Sequence, residues 1–135
     1  MMKPINVDRA IGRNHYKQYT SQGLLLVTSV FATVQGEGPF SGHRAVFVRL
    51  GGCNYGGKGV TSPGCVWCDT YFAVDKATPM THGQLYDEIN RIHPGPSMGR
   101  KLVVVTGGEP LLQPGICDFI ERADKEFYFQ IETNG

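Results

Sequence analysis

Three of the four cysteines lie between positions 53 and 68, and their spacing is typical of a metal site. Eleven residues separate Cys53 from Cys65, and two separate Cys65 from Cys68. In a chain whose N-terminus lacks the apolar segment of a secretory signal, such a triplet indicates metal ligands more often than disulfides. Three thiolates on a four-iron cluster would leave one iron free to bind a small molecule, whereas a closed structural site needs four ligands.

A zinc site is the alternative, because Cys-x-x-Cys is also the commonest zinc-binding pattern. Its fourth ligand would be His43, His82 or His93, although neither of the last two has a partner at ligand spacing. The fourth cysteine, Cys117, lies in a segment with apolar residues at helical spacing. We expect Cys117 to be buried there as a small hydrophobic residue.

A glycine-rich segment, residues 33–39, carries polar side chains between its glycines and is predicted to be a turn. Gln35 and Glu37 would present an amide and a carboxylate to a polar ring, although an ordinary turn would have the same composition. A second such segment, residues 106–110, contains Glu109. That carboxylate could accept a hydrogen bond from an ammonium group, or it could stabilise the start of a helix.

The elements around these segments alternate between strand and helix. Leu102–Val105 is a continuous apolar run typical of a strand buried on both faces. Thr81 and Gln84 form a capping-box pattern at the start of a helix that should end near His93. We predict strands at 24–31, 45–50, 102–105 and 127–131, and a second helix from Pro114 to about Asp124.

From Ala45 onward the predicted order is β-α-β-α-β, which indicates an α/β fold with a parallel sheet. The carboxyl ends of parallel strands meet at one edge of the sheet. The cysteine loop, residues 106–110 and residues 132–135 each follow a predicted strand. We therefore expect these three segments to form a single site.

Composition restricts the class of protein. The chain has 135 residues, 41% hydrophobic and 19% charged, as expected for one globular domain. A net charge of +1 gives no indication of binding to nucleic acid or to an anionic membrane surface, and no apolar run is long enough to span a bilayer. We expect a cytoplasmic protein with an N-terminal extension at 1–23 and a core domain at 24–135.

The motifs together resemble the radical S-adenosylmethionine (SAM) enzymes, and within them the 7-carboxy-7-deazaguanine synthase family of the queuosine and 7-deazapurine pathway. The resemblance covers roughly residues 27–135. It implies a partial radical SAM (β/α) barrel with parallel strands, truncated after the third core strand. The residues that carry it are Thr33-Val-Gln-Gly-Glu-Gly38, Phe47-Val-Arg-Leu-Gly-Gly-Cys53-Asn54, Cys65-Val-Trp-Cys68-Asp-Thr70, Thr106-Gly-Gly-Glu-Pro-Leu111 and Glu132-Thr-Asn-Gly135.

The resemblance also implies a role for each matching residue. A [4Fe-4S] cluster would be bound by Cys53, Cys65 and Cys68, which are also the catalytic residues of this interpretation. SAM would be contacted by Trp67, Cys68, Asp69, Gly108 and Glu109. The pterin substrate would be bound by Val34, Gln35, Gly36, Glu37, Arg49 and Thr106. Thr70 would help to hold Mg²⁺, an ion that prefers oxygen ligands.

The activity that the resemblance implies is that of a carbon–nitrogen lyase. Such enzymes convert 6-carboxy-5,6,7,8-tetrahydropterin to 7-carboxy-7-deazaguanine with loss of ammonia, using a radical made from SAM. The implied partners are the small-molecule pterin and a reductant protein such as flavodoxin, with no nucleic acid and no membrane. The exposed edge of the last strand, 127–131, is compatible with a homodimer.

Two features depart from the family pattern. Many radical SAM enzymes have three residues between the first two cluster cysteines, whereas here eleven intervene. A family barrel also has further β-α units after the third strand. Two other interpretations remain open: a different radical SAM enzyme, such as an activase that makes a glycyl radical on a partner protein, or a non-catalytic metal-binding fragment.

Overall fold

The computed structural model describes residues 2–3, 5–6, 17–55, 65–68, 70, 76–93 and 99–135. Residues 17–20 are helical, and short 3₁₀ turns occur at Gly38–Phe40 and Pro110–Leu112. The strands are β1 (Ile5–Asn6), β2 (Leu25–Val34), β3 (Arg44–Leu50), β4 (Lys76–Met80), β5 (Lys101–Gly107) and β6 (Phe127–Ile131). Two helices are described between strands: α1 (His82–Ile92) precedes β5, and α2 (Gly115–Ala123) precedes β6.

The described strands form one sheet in the order β1-β4-β2-β3-β5-β6. β3, β5 and β6 run parallel to one another. β2 runs antiparallel to both of its neighbours, and β1 runs antiparallel to β4. The prediction of an α/β fold with a parallel sheet is thus confirmed for the half of the sheet that carries the candidate site.

The β-α-β-α-β order was incomplete, because β4 lies between β3 and α1. Its sequence contains Pro79, which has no N–H to donate and argues against a strand. Pro79 is tolerated because β1 pairs only with Lys76 and Ala77, so at Pro79 the described part of β4 pairs with β2 alone. The division of the chain at residue 23 stays a prediction.

The other predicted elements are present with small changes at their ends. The capping box forms as expected: Thr81 accepts a hydrogen bond from the Gln84 amide, and the Gln84 side chain accepts one from the Thr81 amide. β2 is longer than predicted because Thr33 and Val34 pair with Ala45 and Arg44 across a hairpin. The glycine-rich turn therefore begins at residue 35 and connects two antiparallel strands.

The sheet has an outer face covered by the two helices and an inner face that bears the polar residues of the site. On the outer face, Leu85 and Ile89 of α1 and Ile116 and Phe119 of α2 belong to one core with alternate residues of β2, β3, β5 and β6. Complete burial of one such side chain stabilises the fold by roughly 1.5–3 kcal/mol. The inner face has a smaller cluster of Ala45, Leu102, Val104, Phe40 and Phe47.

The expectation for Cys117 was wrong, because its side chain is exposed. The buried face of α2 contains Ile116, Phe119 and Ala123. Cys117 follows Ile116 directly, so it lies about 100° around the helix from that buried position. Neither α1 nor α2, nor any other helix in the described ranges, is long and apolar enough to cross a membrane.

Candidate active site at the carboxyl ends of the parallel strands

Glu109 joins the loops that follow β5 and β6. Its carboxylate is 3% exposed and accepts hydrogen bonds from the Leu111 amide at 3.0 Å, the Thr133 hydroxyl at 2.7 Å and the Asn134 amide at 2.7 Å. Asn134 then extends the network, because its Nδ2 atom donates to Oδ1 of Asn54 at 3.1 Å. The three segments expected to converge are thus connected through hydrogen bonds.

The cysteine loop begins where β3 ends. Cys53 is half-buried, and its Sγ atom accepts a hydrogen bond from the Tyr55 amide at 3.4 Å. Cys65 and Cys68 lie in one turn, closed by a 3.0 Å bond from the Cys68 amide to the Cys65 carbonyl. The Cys68 Sγ atom lies 3.9 Å from the Thr70 hydroxyl.

Trp67, predicted to contact SAM, is 85% exposed in this turn. Asp69, another predicted SAM contact, lies outside the described residues, as does the 56–64 part of the insertion. The relation between Cys53 and the Cys65–Cys68 turn therefore depends on a segment of which nothing is described. The cofactor roles of Trp67 and Asp69 stay predictions.

The three cysteines fit the donor set of an iron–sulfur cluster. All are free thiols, and each is exposed or half-buried, so each can become a thiolate ligand. Among the residues that the structure describes, no group of three or more His, Cys, Asp or Glu side chains could hold a single metal ion. A four-iron cluster does not need such a group, because each thiolate binds a different iron.

Gly108 lies against the cysteine loop at a distance that only glycine permits. A Cβ atom placed on Gly108 would lie 1.9 Å from the Gly52 carbonyl oxygen and 3.0 Å from the Cys53 Cβ. Gly107 has a φ of 146°, and a Cβ atom placed on it would clash with the backbone of Leu50. These two glycines therefore allow the loops after β3 and β5 to pack backbone against backbone.

Arg49 and Thr106 share the inner face of the sheet, directly below this edge. They are register partners on β3 and β5, and both are half-buried. The Arg49 guanidinium carbon lies 5.6 Å from the centre of the Phe31 ring, which stacks on Phe47. The Arg49 Nε atom is buried and has no hydrogen-bond partner in the described part of the chain.

Gln35, at the end of β2, reaches across to the loop after β6. It is 1% exposed, and its Nε2 atom donates to the Glu132 carboxylate at 3.2 Å, while its Oε1 atom accepts from the Glu37 amide at 3.2 Å. Gly36 and the Glu37 side chain are exposed, and Val34 is 56% exposed. Gln35 is therefore fixed by protein contacts, whereas its neighbours face solvent.

Sequence reasoning missed several residues that organise the site. Glu132 and Asn134 belong to the 132–135 segment that was expected to reach the site, but neither was predicted as a site residue. Their position directly after a predicted parallel strand was the available indication. Gln113 is also fully buried in this region, and nothing in the sequence distinguished it from a surface residue.

Comparison with known proteins is consistent with this geometry. The Radical SAM superfamily profile matches residues 48–135. The 7-carboxy-7-deazaguanine synthase of Hyperthermus butylicus is 41% identical over 116 residues, which are 83% of this chain and 43% of that protein. The synthase of the same name from Rickettsia prowazekii is 36% identical, over 100% of this chain and 55% of its own length.

A solved structure is similar as well. The crystal structure of QueE from Escherichia coli superposes with a TM-score of 0.62 at 30% identity, covering 87% of this chain and 56% of that one. The chain thus spans about half the length of the curated relatives that it matches.

Proposed function

Since the chain belongs to the radical SAM superfamily, we propose that it acts as a 7-carboxy-7-deazaguanine synthase. This lyase would convert 6-carboxy-5,6,7,8-tetrahydropterin to 7-carboxy-7-deazaguanine with loss of ammonia, in 7-deazapurine or queuosine biosynthesis. The observation that carries the proposal is the hydrogen-bonded convergence of the cysteine loop, the Gly107–Gly108–Glu109 turn and the Glu132–Asn134 segment at one sheet edge. The names of the relatives support the choice of reaction.

Cys53, Cys65 and Cys68 would hold a [4Fe-4S] cluster, with Trp67, Asp69 and the Gly108 backbone near the bound SAM. When bound, these two groups supply the one-electron cleavage that produces a carbon radical. The chain's own residues would place the loop. Gly107 and Gly108 permit the close backbone packing, and Glu109 closes the gap between the β5 and β6 ends with three hydrogen bonds.

Glu109 was predicted to contact SAM, but in this proposal few of its acceptor positions would be available for that contact. A carboxylate offers about four acceptor positions, and three protein donors already occupy Glu109. One position would remain for an ammonium group. Its principal role would be to hold the two loops in place.

The inner face would bind the pterin. The free Nε atom of half-buried Arg49 suits a substrate carboxylate, which a guanidinium can bind in a bidentate manner. Thr106 lies beside it in register, and Gln35, which is buried and bonded to Glu132, would orient the Glu132 carboxylate toward the polar edge of a ring. Val34, Gly36 and Glu37 would complete the rim, and Thr70 would help to hold Mg²⁺ near the substrate carboxylate.

Turnover also requires electrons from outside the chain. We propose a cytoplasmic one-electron donor such as flavodoxin. A homodimer could form through β6, which lies at the edge of the described sheet and exposes Tyr128 and Ile131.

The test is anaerobic reconstitution of the chain with iron and sulfide, followed by incubation with SAM, reductant and 6-carboxytetrahydropterin. We expect about four irons per chain, 5′-deoxyadenosine and the deazaguanine product. Cys53→Ser should remove cluster and activity, whereas Cys117→Ser, on the exposed face of α2, should retain both. Bound zinc in place of iron would contradict the proposal. Cleavage of SAM without conversion of the pterin would indicate a different radical SAM reaction.

A further inference from the structure

Gln113, between the 3₁₀ turn and α2, is a fully buried polar residue whose side chain uses both ends of its amide. Its Oε1 atom accepts a hydrogen bond from the Leu26 amide at 2.8 Å. Its Nε2 atom donates to the Leu26 carbonyl at 3.0 Å and to the Gly51 carbonyl at 3.1 Å. The side chain therefore joins β2 to the residues that begin the cysteine loop.

The bond to Gly51 is one of three in a row. The Gly108 amide donates to the Leu50 carbonyl at 3.1 Å, and the Glu109 amide donates to the Gly52 carbonyl at 2.9 Å. Three consecutive carbonyls, those of residues 50–52, thus accept hydrogen bonds from the segment 108–113. We call these three bonds the carbonyl clamp. The next residue along the chain is Cys53.

Gln113 is the only member of the clamp that acts through a side chain. The other two donors are backbone amides of the turn after β5, where the backbones pack too closely for a Cβ atom. Beyond the clamp, Asn54 and Tyr55 are exposed. The backbone that leads into Cys53 is therefore held at the end of β3, where the Gly51 amide donates to the Leu26 carbonyl at 2.9 Å and Gln113 adds side-chain bonds to both residues.

We propose that Gln113 is a positioning residue for the first cluster cysteine. By adding side-chain bonds to the backbone bond between Gly51 and Leu26 of β2, it fixes the direction in which Cys53 leaves the sheet and hence where its thiolate would meet the cluster. This inference deepens the proposed function and rests on it for the identity of the bound group. A simpler role, in which Gln113 only satisfies the backbone of Leu26 and stabilises the fold, predicts no specific effect at Cys53.

The test compares three variants of the full chain under anaerobic conditions. Gln113→Met keeps the length of the side chain but removes all three hydrogen bonds. Gln113→Glu can still accept from the Leu26 amide but sets a second oxygen against the carbonyls of Leu26 and Gly51. Gln84→Ala is the control, because it removes a capping side chain of α1 and lowers stability without touching the clamp.

The first readout needs no cluster, so it separates this inference from the proposed function. The rate of alkylation of each cysteine is measured in the metal-free protein by mass spectrometry, well below the unfolding temperature of each variant. We expect Cys53 to react at least about tenfold faster in both Gln113 variants, because both lose the buried bond to the Gly51 carbonyl and local opening then costs less free energy. Cys117 should be unchanged, and Gln84→Ala should match the wild type at Cys53.

The second readout is the reconstituted protein, in which the Gln113 variants should show a lower iron content and an altered electron paramagnetic resonance spectrum of the reduced cluster. A Gln113→Met protein that is less stable but has wild-type Cys53 reactivity would overturn the proposal. If neither Gln113 variant folds, the positioning role is tested instead by the exchange of backbone amide hydrogens in the wild-type protein. The Leu26 amide, which donates to the Gln113 side chain, should exchange only on global unfolding, and its exchange through local opening would refute the positioning role.

Discussion

At the scale of single residues, Arg49 has a buried donor that no described protein group satisfies, which is why we propose it for the substrate carboxylate. Its guanidinium lies over the Phe31 ring, and its buried Nε atom has no partner within the described ranges. A buried donor without an acceptor costs roughly 1–3 kcal/mol, so an incoming carboxylate would recover part of that cost. Side chains alternate along β3, so Arg49 lies on the same face of the sheet as Phe47, on which Phe31 stacks.

Replacement of Arg49 by lysine should weaken pterin binding by roughly 10- to 100-fold, because an ammonium group cannot make two parallel bonds to a carboxylate. The measurement is the dissociation constant for 6-carboxytetrahydropterin in the reconstituted protein. Arg44→Lys is the matched control, since Arg44 is exposed at the other end of β3. Equal affinity in the two variants would remove Arg49 from the proposed substrate site.

Gly108→Ala should disrupt the packing of the cysteine loop. The added methyl group would lie 1.9 Å from the Gly52 carbonyl oxygen, so the two loops must separate. We expect the free energy of unfolding to fall by about 1–3 kcal/mol, as for an overpacked core. The variant should also incorporate less cluster than the wild type. The comparison is Gly83→Ala in the first turn of α1, where the methyl group meets only Thr81 Oγ1 at 3.9 Å. Thermal unfolding that is the same for both variants would count against the clash.

At the scale of elements, α1 and the turn between α2 and β6 are joined by a hydrogen bond from the Tyr86 hydroxyl to the Glu126 carboxylate. Tyr86 also packs beside Phe127 at the start of β6. The bond to Glu126 raises the pKa of Tyr86 above its usual value near 10, because the neutral phenol donates to the carboxylate. The contact therefore fixes the helix that precedes β5 to the turn that precedes β6.

The raised pKa gives a dependence of stability on alkaline pH. The folded state favours the protonated phenol, so the contribution of this contact is fully present below the unfolded pKa near 10 and is lost as the pH rises through the higher folded value. The difference in unfolding free energy between wild type and Tyr86→Phe should be constant from neutral pH to about pH 9 and should shrink above pH 10. Chemical denaturation across that range is the measurement, and a difference that grows with pH would contradict the assignment.

At the scale of the whole molecule, the local sequence pattern located most strands and helices. It did not show which residues would be in contact. The β-branched run of β5 and the Thr81–Gln84 capping box depend on neighbours in sequence, so both could be predicted. β4 could not, because its Pro79 is acceptable only given the short β1 beside it. The roles of Gln113 and Asn134 depend on partners 62 and 80 residues away, which no local pattern reports.

Cluster loading should stabilise the entire fold, because the ligand would bind the native state and not the unfolded chain. We expect the reconstituted protein to unfold at least about 5 °C above the metal-free protein. Cys53→Ser should abolish this increase, and Cys117→Ser should preserve it. Differential scanning calorimetry under argon gives the values, and an increase that survives in Cys53→Ser would mean that the metal binds elsewhere.

The bonds from Thr133 and Asn134 to Glu109 also bear on biogenesis. Glu109 receives two of its three donors from residues 24 and 25 positions further along, and a translating ribosome delivers those residues after β5. Until β6 has emerged and paired with β5, the carboxylate cannot join the two loops, and Asn54 beside the first thiol lacks its bond to Asn134. Iron delivery before β6 has emerged would therefore precede completion of the pocket, so we expect cluster insertion to follow the pairing of β6 with β5.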